Sequence, residues 1–158
     1  PVLTEVPGLP LSGVPLVLAM FGLGMVLGNI GGSRLADRAL MPTIGGLLLW
    51  SALVLALFVF AAPHPLPAAI SVMLVGTIVA LGPTLQVRLM DVAGDAQTLA
   101  AALNHSAFNV ANALGAWLGG VAIDAGLGWT STGWVGVLLA FGGLLVFAWS
   151  VAADRRRA

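Results

Sequence analysis

The chain has 158 residues, of which 59% are hydrophobic and only 8% are charged, and its formal net charge at pH 7 is zero. A soluble domain usually carries about 25% charged residues, so six basic and six acidic side chains cannot keep a globule of this size in water. Most of the outer surface must therefore face lipid. The chain has no cysteine, which excludes a disulfide framework and a thiolate metal site. It also has no basic face that would suit nucleic acid.

Five segments are apolar enough to cross a membrane, for which a helix needs about 20 mostly apolar residues. None of them contains Asp, Glu, Lys or Arg. In lipid each must be a helix, because an open strand would leave backbone groups without hydrogen-bond partners. We therefore predict an all-α integral membrane protein, a bundle of about five transmembrane helices within residues 13–153. The predicted spans are residues 13–32, 43–62, 66–85, 99–123 and 132–151.

All the basic residues fall on one side of this predicted bundle. They are Arg34, Arg38, Arg88 and the C-terminal run Arg155, Arg156 and Arg157. By the positive-inside rule this side is cytoplasmic, so the basic tail, residues 154–158, is predicted to be cytoplasmic and the N-terminus external. An external N-terminus without a signal peptide needs an upstream helix to deliver it. Residues 1–12 are accordingly predicted to be the external exit of a missing helix.

The fourth predicted span carries most of the polar side chains within the spans. Because each helical residue turns about 100°, His105, Asn109 and Asn112 fall within about 60° of one another, with Asn104 at their flank. Polar groups are costly in hydrocarbon, so this stripe should face a partner helix or a water-filled cavity. Helix-to-helix hydrogen bonding would explain any single asparagine. Three asparagines and a histidine within nine residues favour the interpretation that this stripe forms the wall of a transport pathway. Asn29 in the first span is a weaker candidate for the same wall.

His105 is the one ionisable side chain within the predicted spans. Histidine changes its charge near neutral pH, so His105 could carry a proton during a transport cycle. A neutral histidine that donates one hydrogen bond is an equally good explanation. A metal site would need further ligands nearby, and the span offers none, so neither a metal nor a cofactor is expected. The spans also lack a Ser–His, Asp–Asp or multi-His arrangement, and we do not expect an enzyme.

The segment that follows the first span places an aspartate between two arginines. Asp37 can pair with Arg34 or Arg38, or it can cap a neighbouring helix N-terminus. Such contacts can lock one conformation of a transporter and break in another. A solvated loop with arginines on the cytoplasmic side explains the same residues, and the residues alone do not decide between the two.

Two further features concern helix packing. Gly24, Gly28 and Gly32 recur one turn apart in the first span, which lets another helix approach closely. Ala111, Gly115 and Gly119 recur in the same way in the fourth span. Ordinary packing within the bundle is the simpler explanation. The alternatives are a sliding surface between helices that rearrange during transport, or a membrane interaction protein that oligomerises through these glycine-rich faces. In the third span, Gly82 and Pro83 should kink or unwind the helix near its cytoplasmic end, because proline lacks a backbone donor.

Two motifs resemble a known family. The segment Gly32-Ser33-Arg34-Leu35-Ala36-Asp37-Arg38 resembles the Gly-x-Leu-Ala-Asp-Arg signature of the major facilitator superfamily, with Ser33 where the signature has Gly. A longer stretch is similar to the tenth and eleventh helices of bacterial drug and sugar exporters of the arabinose-efflux and chloramphenicol-resistance branch, although Ala111 stands where those carry Gly. That stretch reads Gln86-x-Arg88-x-Met90-Asp91, then Ala102-x-Asn104-x-Ser106-Ala107-Phe108-Asn109-x-x-Asn112-Ala113-x-Gly115-Ala116.

The resemblance covers essentially the whole chain and implies the C-terminal half of a twelve-helix transporter in a bacterial inner membrane. It implies alternating access, in which two six-helix halves rock about a central site and proton entry drives export of a small solute. The implied partners are the solute, protons, the bilayer and the missing N-terminal half, without which we expect no transport. The implied cavity residues are Asn104, His105, Asn109 and Asn112, and the implied cytoplasmic gate is Arg34, Asp37 and Arg38.

Overall fold

The computed structural model describes residues 2–156, and within them the five predicted spans are all helical. The prediction of an all-α membrane bundle is confirmed. A short helix α1 (Val2–Glu5) precedes α2 (Val14–Arg38) and α3 (Leu40–Ala61). The third span is made of α4 (Pro65–Thr77) and α5 (Leu81–Val92), joined by a 3₁₀ turn over Ile78–Ala80. The last two spans are α6 (Gln97–Asp124) and α7 (Ser131–Arg155).

The N-terminal segment and the C-terminal tail both contain some helix. After α1 the chain is irregular through Pro10, and a 3₁₀ turn over Leu11–Gly13 leads into α2. At the other end α7 continues through Asp154 and Arg155, the first two residues of the predicted tail. Pro1, Arg157 and Ala158 lie outside the described residues.

Helix α2 runs six residues further than its predicted span. Ser33–Arg38, predicted as a loop, forms the last turns of this helix. Arginine, leucine and alanine are good helix formers, and charged side chains beyond the hydrocarbon can be solvated without ending the helix. A single residue, Ala39 (φ −160°, ψ 87°), makes the turn into α3, whose first turn contains Pro42, a position at which proline is tolerated.

The predicted break in the third span is present, one turn before the proline. The ring of Pro83 would clash with the carbonyl of the residue four positions back, which is Val79, and it cannot donate a hydrogen bond to it. The helix responds in that preceding turn, where Ile78–Ala80 adopts the tighter 3₁₀ form. The distortion therefore lies between α4 and α5.

The most extensive helix pairings are α2 with α4 and α3 with α7. The first depends on glycine: a methyl group on Gly24 would overlap the carbonyl oxygen of Met73, and one on Gly28 would overlap backbone atoms of Thr77. On α4, Gly76 contacts the α2 backbone in the same way. Gly24 and Gly28 are thus used for packing inside the bundle, against α4.

Candidate wall of a transport pathway

Helix α6 packs chiefly against α5 and α7. Its packed face contains Asn104, Gly119 and Ala122, which are all buried. Since α6 has neighbours on this face alone among the described helices, two flanks remain uncovered on either side of it. Their chemistry differs, and we call them the polar flank and the apolar flank.

The polar flank consists of His105, Asn109 and Asn112, the stripe that the sequence predicts. All three are exposed, and none has a side-chain hydrogen bond to any residue of the range 2–156. Ala116 continues the same flank one turn further along. The structure therefore brings three of the predicted pathway residues together on one open surface.

The apolar flank lies about 140° away around the helix axis. It carries large hydrophobic side chains and no amide, hydroxyl or ionisable group, a composition that suits contact with lipid. Its side chains are between 42% and 67% exposed, and they are Leu103, Val110, Leu114, Trp117 and Val121.

Asn104 does not belong to the polar flank. It is only 5% exposed and its Nδ2 donates a hydrogen bond of 3.4 Å to Oε1 of Gln86 on α5. One turn further along α6, Phe108 packs over Gly82 of α5. Asn104 therefore joins α6 to α5, in the manner of an interhelical polar contact.

Asn29 lies at a second place, in a cleft of about 430 Å³ between α2 and α5. Asn29, Ser33 and Asp37 line it from α2 at four-residue spacing, and Pro83 and Thr84 line it from the other side. Thr84 is buried and its Oγ1 donates to the carbonyl of Ala80. Ser33 was predicted to lie in a loop and therefore was not expected to share a site with Asn29. Because α2 continues to Arg38, residues four positions apart on it share one face.

The three predicted gate residues do not line a common cavity. Asp37 lines the cleft towards α5, while Arg38 lines a groove towards α3 and Arg34 is exposed. Within residues 2–156 no ion pair joins Asp37 to either arginine.

The ion pair found in the described part of the chain links two other helices. Nη2 of Arg88 lies 3.0 Å from Oδ2 of Asp154, joining the end of α5 to the end of α7. This pair was not predicted, because its members are 66 residues apart in the sequence. The sequence shows only that both residues follow spans on the arginine-bearing side.

Five helices long and apolar enough to cross a membrane, packed into one bundle, are the architecture of a multi-pass membrane protein. The sequence matches the Major Facilitator Superfamily over residues 1–158, and the chain belongs to that family.

Two relatives illustrate the match. The inner membrane transport protein YdhP of Escherichia coli K12 is 39% identical over 128 residues, which are 80% of this chain and 33% of that protein. The uncharacterized MFS-type transporter YtbD of Bacillus subtilis 168 is 31% identical over 161 residues, covering 99% of this chain and 40% of that protein. The chain thus spans between a third and two fifths of the length of these relatives. No solved structure matches it significantly.

Proposed function

We propose that the protein exports small solutes, drugs or sugars, by proton-coupled alternating access, and that the polar flank of α6 lines its pathway. The observation that carries the proposal is the difference between the two uncovered flanks of one helix. A flank in contact with acyl chains should be apolar, as the one with Val110 and Trp117 is. The flank with Asn109 and Asn112 would be costly there, so water or another protein surface must meet it.

The partner surface lies outside the described residues. No helix of the range 2–156 covers His105, Asn109 or Asn112. The relatives are between two and three times as long as the stretch they share with this chain. We therefore propose that a preceding N-terminal half supplies the opposite wall, and that residues 1–158 alone do not transport.

The proposed orientation places the arginine-bearing ends in the cytoplasm. Arg38, Arg88 and Arg155 lie at the ends of α2, α5 and α7, and the contact between Arg88 and Asp154 shows that two of these ends meet. The positive-inside rule then makes the N-terminus of this chain external. At the cytoplasmic end, Asp37 faces the cleft between α2 and α5, and we propose that it acts with Arg34 and Arg38 in a gate that rearranges during transport.

The alternative of an oligomer assembled through glycine-rich faces loses the surface on α2. Gly24 and Gly28 are already in backbone contact with α4 of the same chain. A second copy could use them only by displacing α4.

The test replaces Asn109 or Asn112 with Leu in the full-length protein. Efflux of ethidium and of radiolabelled arabinose would be measured in membrane vesicles energised by a proton gradient. We expect at least a tenfold loss of flux from either variant, with normal amounts of folded protein, because the pathway loses a polar contact. Val110→Leu, on the apolar flank of the same helix, is the matched control and should transport normally.

Two results would count against the proposal. Unchanged flux of a transported probe in both asparagine variants would make the polar flank ordinary packing. Flux of neither probe in the unaltered protein, together with proton-independent transport of another solute, would refute proton-coupled export of these classes.

A further inference from the structure

A groove of about 620 Å³ runs between α2 and the first half of α3, on the side of α2 opposite to the cleft that contains Asn29. Gly31 and Gly46 both line it. A methyl group added to either glycine would meet no atom within 4 Å. The packing of the described chain therefore does not require glycine at these two positions, although glycine inside a helix costs about 1 kcal/mol relative to alanine.

The length of the groove matches one leaflet of a bilayer. It extends from Leu27 to Arg38 on α2 and from Ala39 to Trp50 on α3. At about 1.5 Å per residue, each stretch is about 16 Å long. The hydrocarbon core of a bilayer is about 30 Å thick, so the groove runs from one membrane face to about mid-membrane.

The end of the groove near mid-membrane offers no unpaired polar side chain. Trp50 is the side chain that closes it, and its Nε1 donates a hydrogen bond of 2.7 Å to Oγ1 of Thr77. Thr77 in turn donates to the carbonyl of Leu74. Since both polar side chains are already paired, the inner part of the groove suits an acyl chain.

The end of the groove at the membrane face is positive and lacks a carboxylate. Arg38 lines it, whereas the neighbouring Asp37 lines the cleft on the other side of α2. Arg38 is therefore the group at this end of the groove that can pair with an anionic headgroup.

We propose that this groove binds one anionic glycerophospholipid, with its phosphate at Arg38 and one acyl chain along Gly31 and Gly46. A basic pocket between transmembrane helices at a membrane surface is a recognised way of holding anionic headgroups. The lipid would fill the space between α2 and α3. Binding does not depend on which solute the protein transports.

The test measures lipid binding to the full-length protein in detergent by native mass spectrometry. Palmitoyl-oleoyl phosphatidylglycerol and the zwitterionic phosphatidylcholine with the same chains are the two probes. One basic residue near a membrane surface contributes about 1 kcal/mol, which corresponds to a preference of about fivefold for phosphatidylglycerol. Arg38→Gln should remove this preference, while Arg34→Gln, one turn away and outside the groove, should keep it.

Filling the groove tests the place of the acyl chain. Gly31→Leu and Gly46→Leu should each lower the binding of both lipids at least fivefold, because the new side chain occupies the groove, where its first carbon meets no protein atom within 4 Å. Gly22→Leu is the control, since Gly22 also has open space around it and lies outside the groove. Two variants on different helices keep the test valid if one of them folds poorly.

Three results would overturn the proposal. Equal affinity for the two lipids would remove the headgroup site, and unchanged binding in both groove-filling variants would move the acyl chain elsewhere. A groove covered by another part of the protein or by a second copy would leave the unaltered protein without a bound phosphatidylglycerol.

Discussion

The two uncovered flanks of α6 share a helix, a depth in the membrane and a lack of neighbours, yet they differ completely in chemistry. Val110 and Trp117 belong to one flank and are 67% and 64% exposed, whereas Asn109 and Asn112 belong to the other and are also exposed. Exposure alone therefore does not identify the lipid-facing side of a membrane helix. The cost of polar groups in hydrocarbon does.

The largest effect is expected when the same charge is placed on each flank, which tests whether the two flanks face different environments. Val110→Asp puts a carboxylate on the apolar flank near the middle of α6, where an aspartate costs about 2.5 to 3.5 kcal/mol in insertion experiments. Asn109→Asp places it on the polar flank, where water or a polar partner can solvate it. We expect Val110→Asp to reduce the folded, membrane-inserted fraction strongly and Asn109→Asp to reduce it little.

The amount of folded protein extracted from membranes, measured by fluorescence-detected gel filtration, decides the matter. Equal losses in the two aspartate variants would mean that both flanks face the same environment. The distinction on which the proposed pathway rests would then be lost.

A smaller effect is expected from His105, which lies at the start of the polar flank. Histidine titrates within about pH 5 to 8, so a proton carrier at this position would give transport a pH dependence in that range. His105→Gln should flatten the pH profile of solute flux while the protein remains folded. A profile identical to that of the unaltered protein would show that His105 is not the proton carrier.

The smallest effect concerns Asn104, which sharpens the boundary of the polar flank. Its hydrogen bond to Gln86 holds the packed face of α6 against α5, and such bonds average about 0.6 kcal/mol in membrane proteins. A double-mutant cycle of Asn104→Ala and Gln86→Ala, followed by denaturation in mixed micelles, should give a coupling energy of about that size. A coupling of zero would mean that Asn104 is free to join the polar flank.

Much of this architecture could be predicted from the sequence, because membrane helices are specified by long uncharged segments. The five helices, the distortion before Pro83 and the internal use of Gly24 and Gly28 all follow from local rules. The continuation of α2 to Arg38 was missed, since a hydropathy pattern ends where the hydrocarbon ends and a helix need not. For the same reason, the common face of Asn29, Ser33 and Asp37 was not visible.

Contacts between distant helices could not be predicted. The burial of Asn104 beside Gln86 depends on how α5 and α6 are rotated against each other, and helical periodicity places Asn104 only at the edge of the stripe. Arg88 and Asp154 meet because the ends of α5 and α7 are adjacent in the bundle. No spacing along the chain encodes that adjacency.

The most direct test of the central claim is the water accessibility of single cysteines on the two flanks. Residues 1–158 contain no native cysteine, so Asn109→Cys and Asn112→Cys can be compared with Val110→Cys and Leu114→Cys against an otherwise cysteine-free background of the full-length protein. A thiol reacts as its thiolate, which forms only where water reaches it. We predict that a membrane-impermeant maleimide labels the two polar-flank cysteines at least tenfold faster than the two apolar-flank cysteines. Equal labelling rates on both flanks would contradict a water-filled pathway along α6.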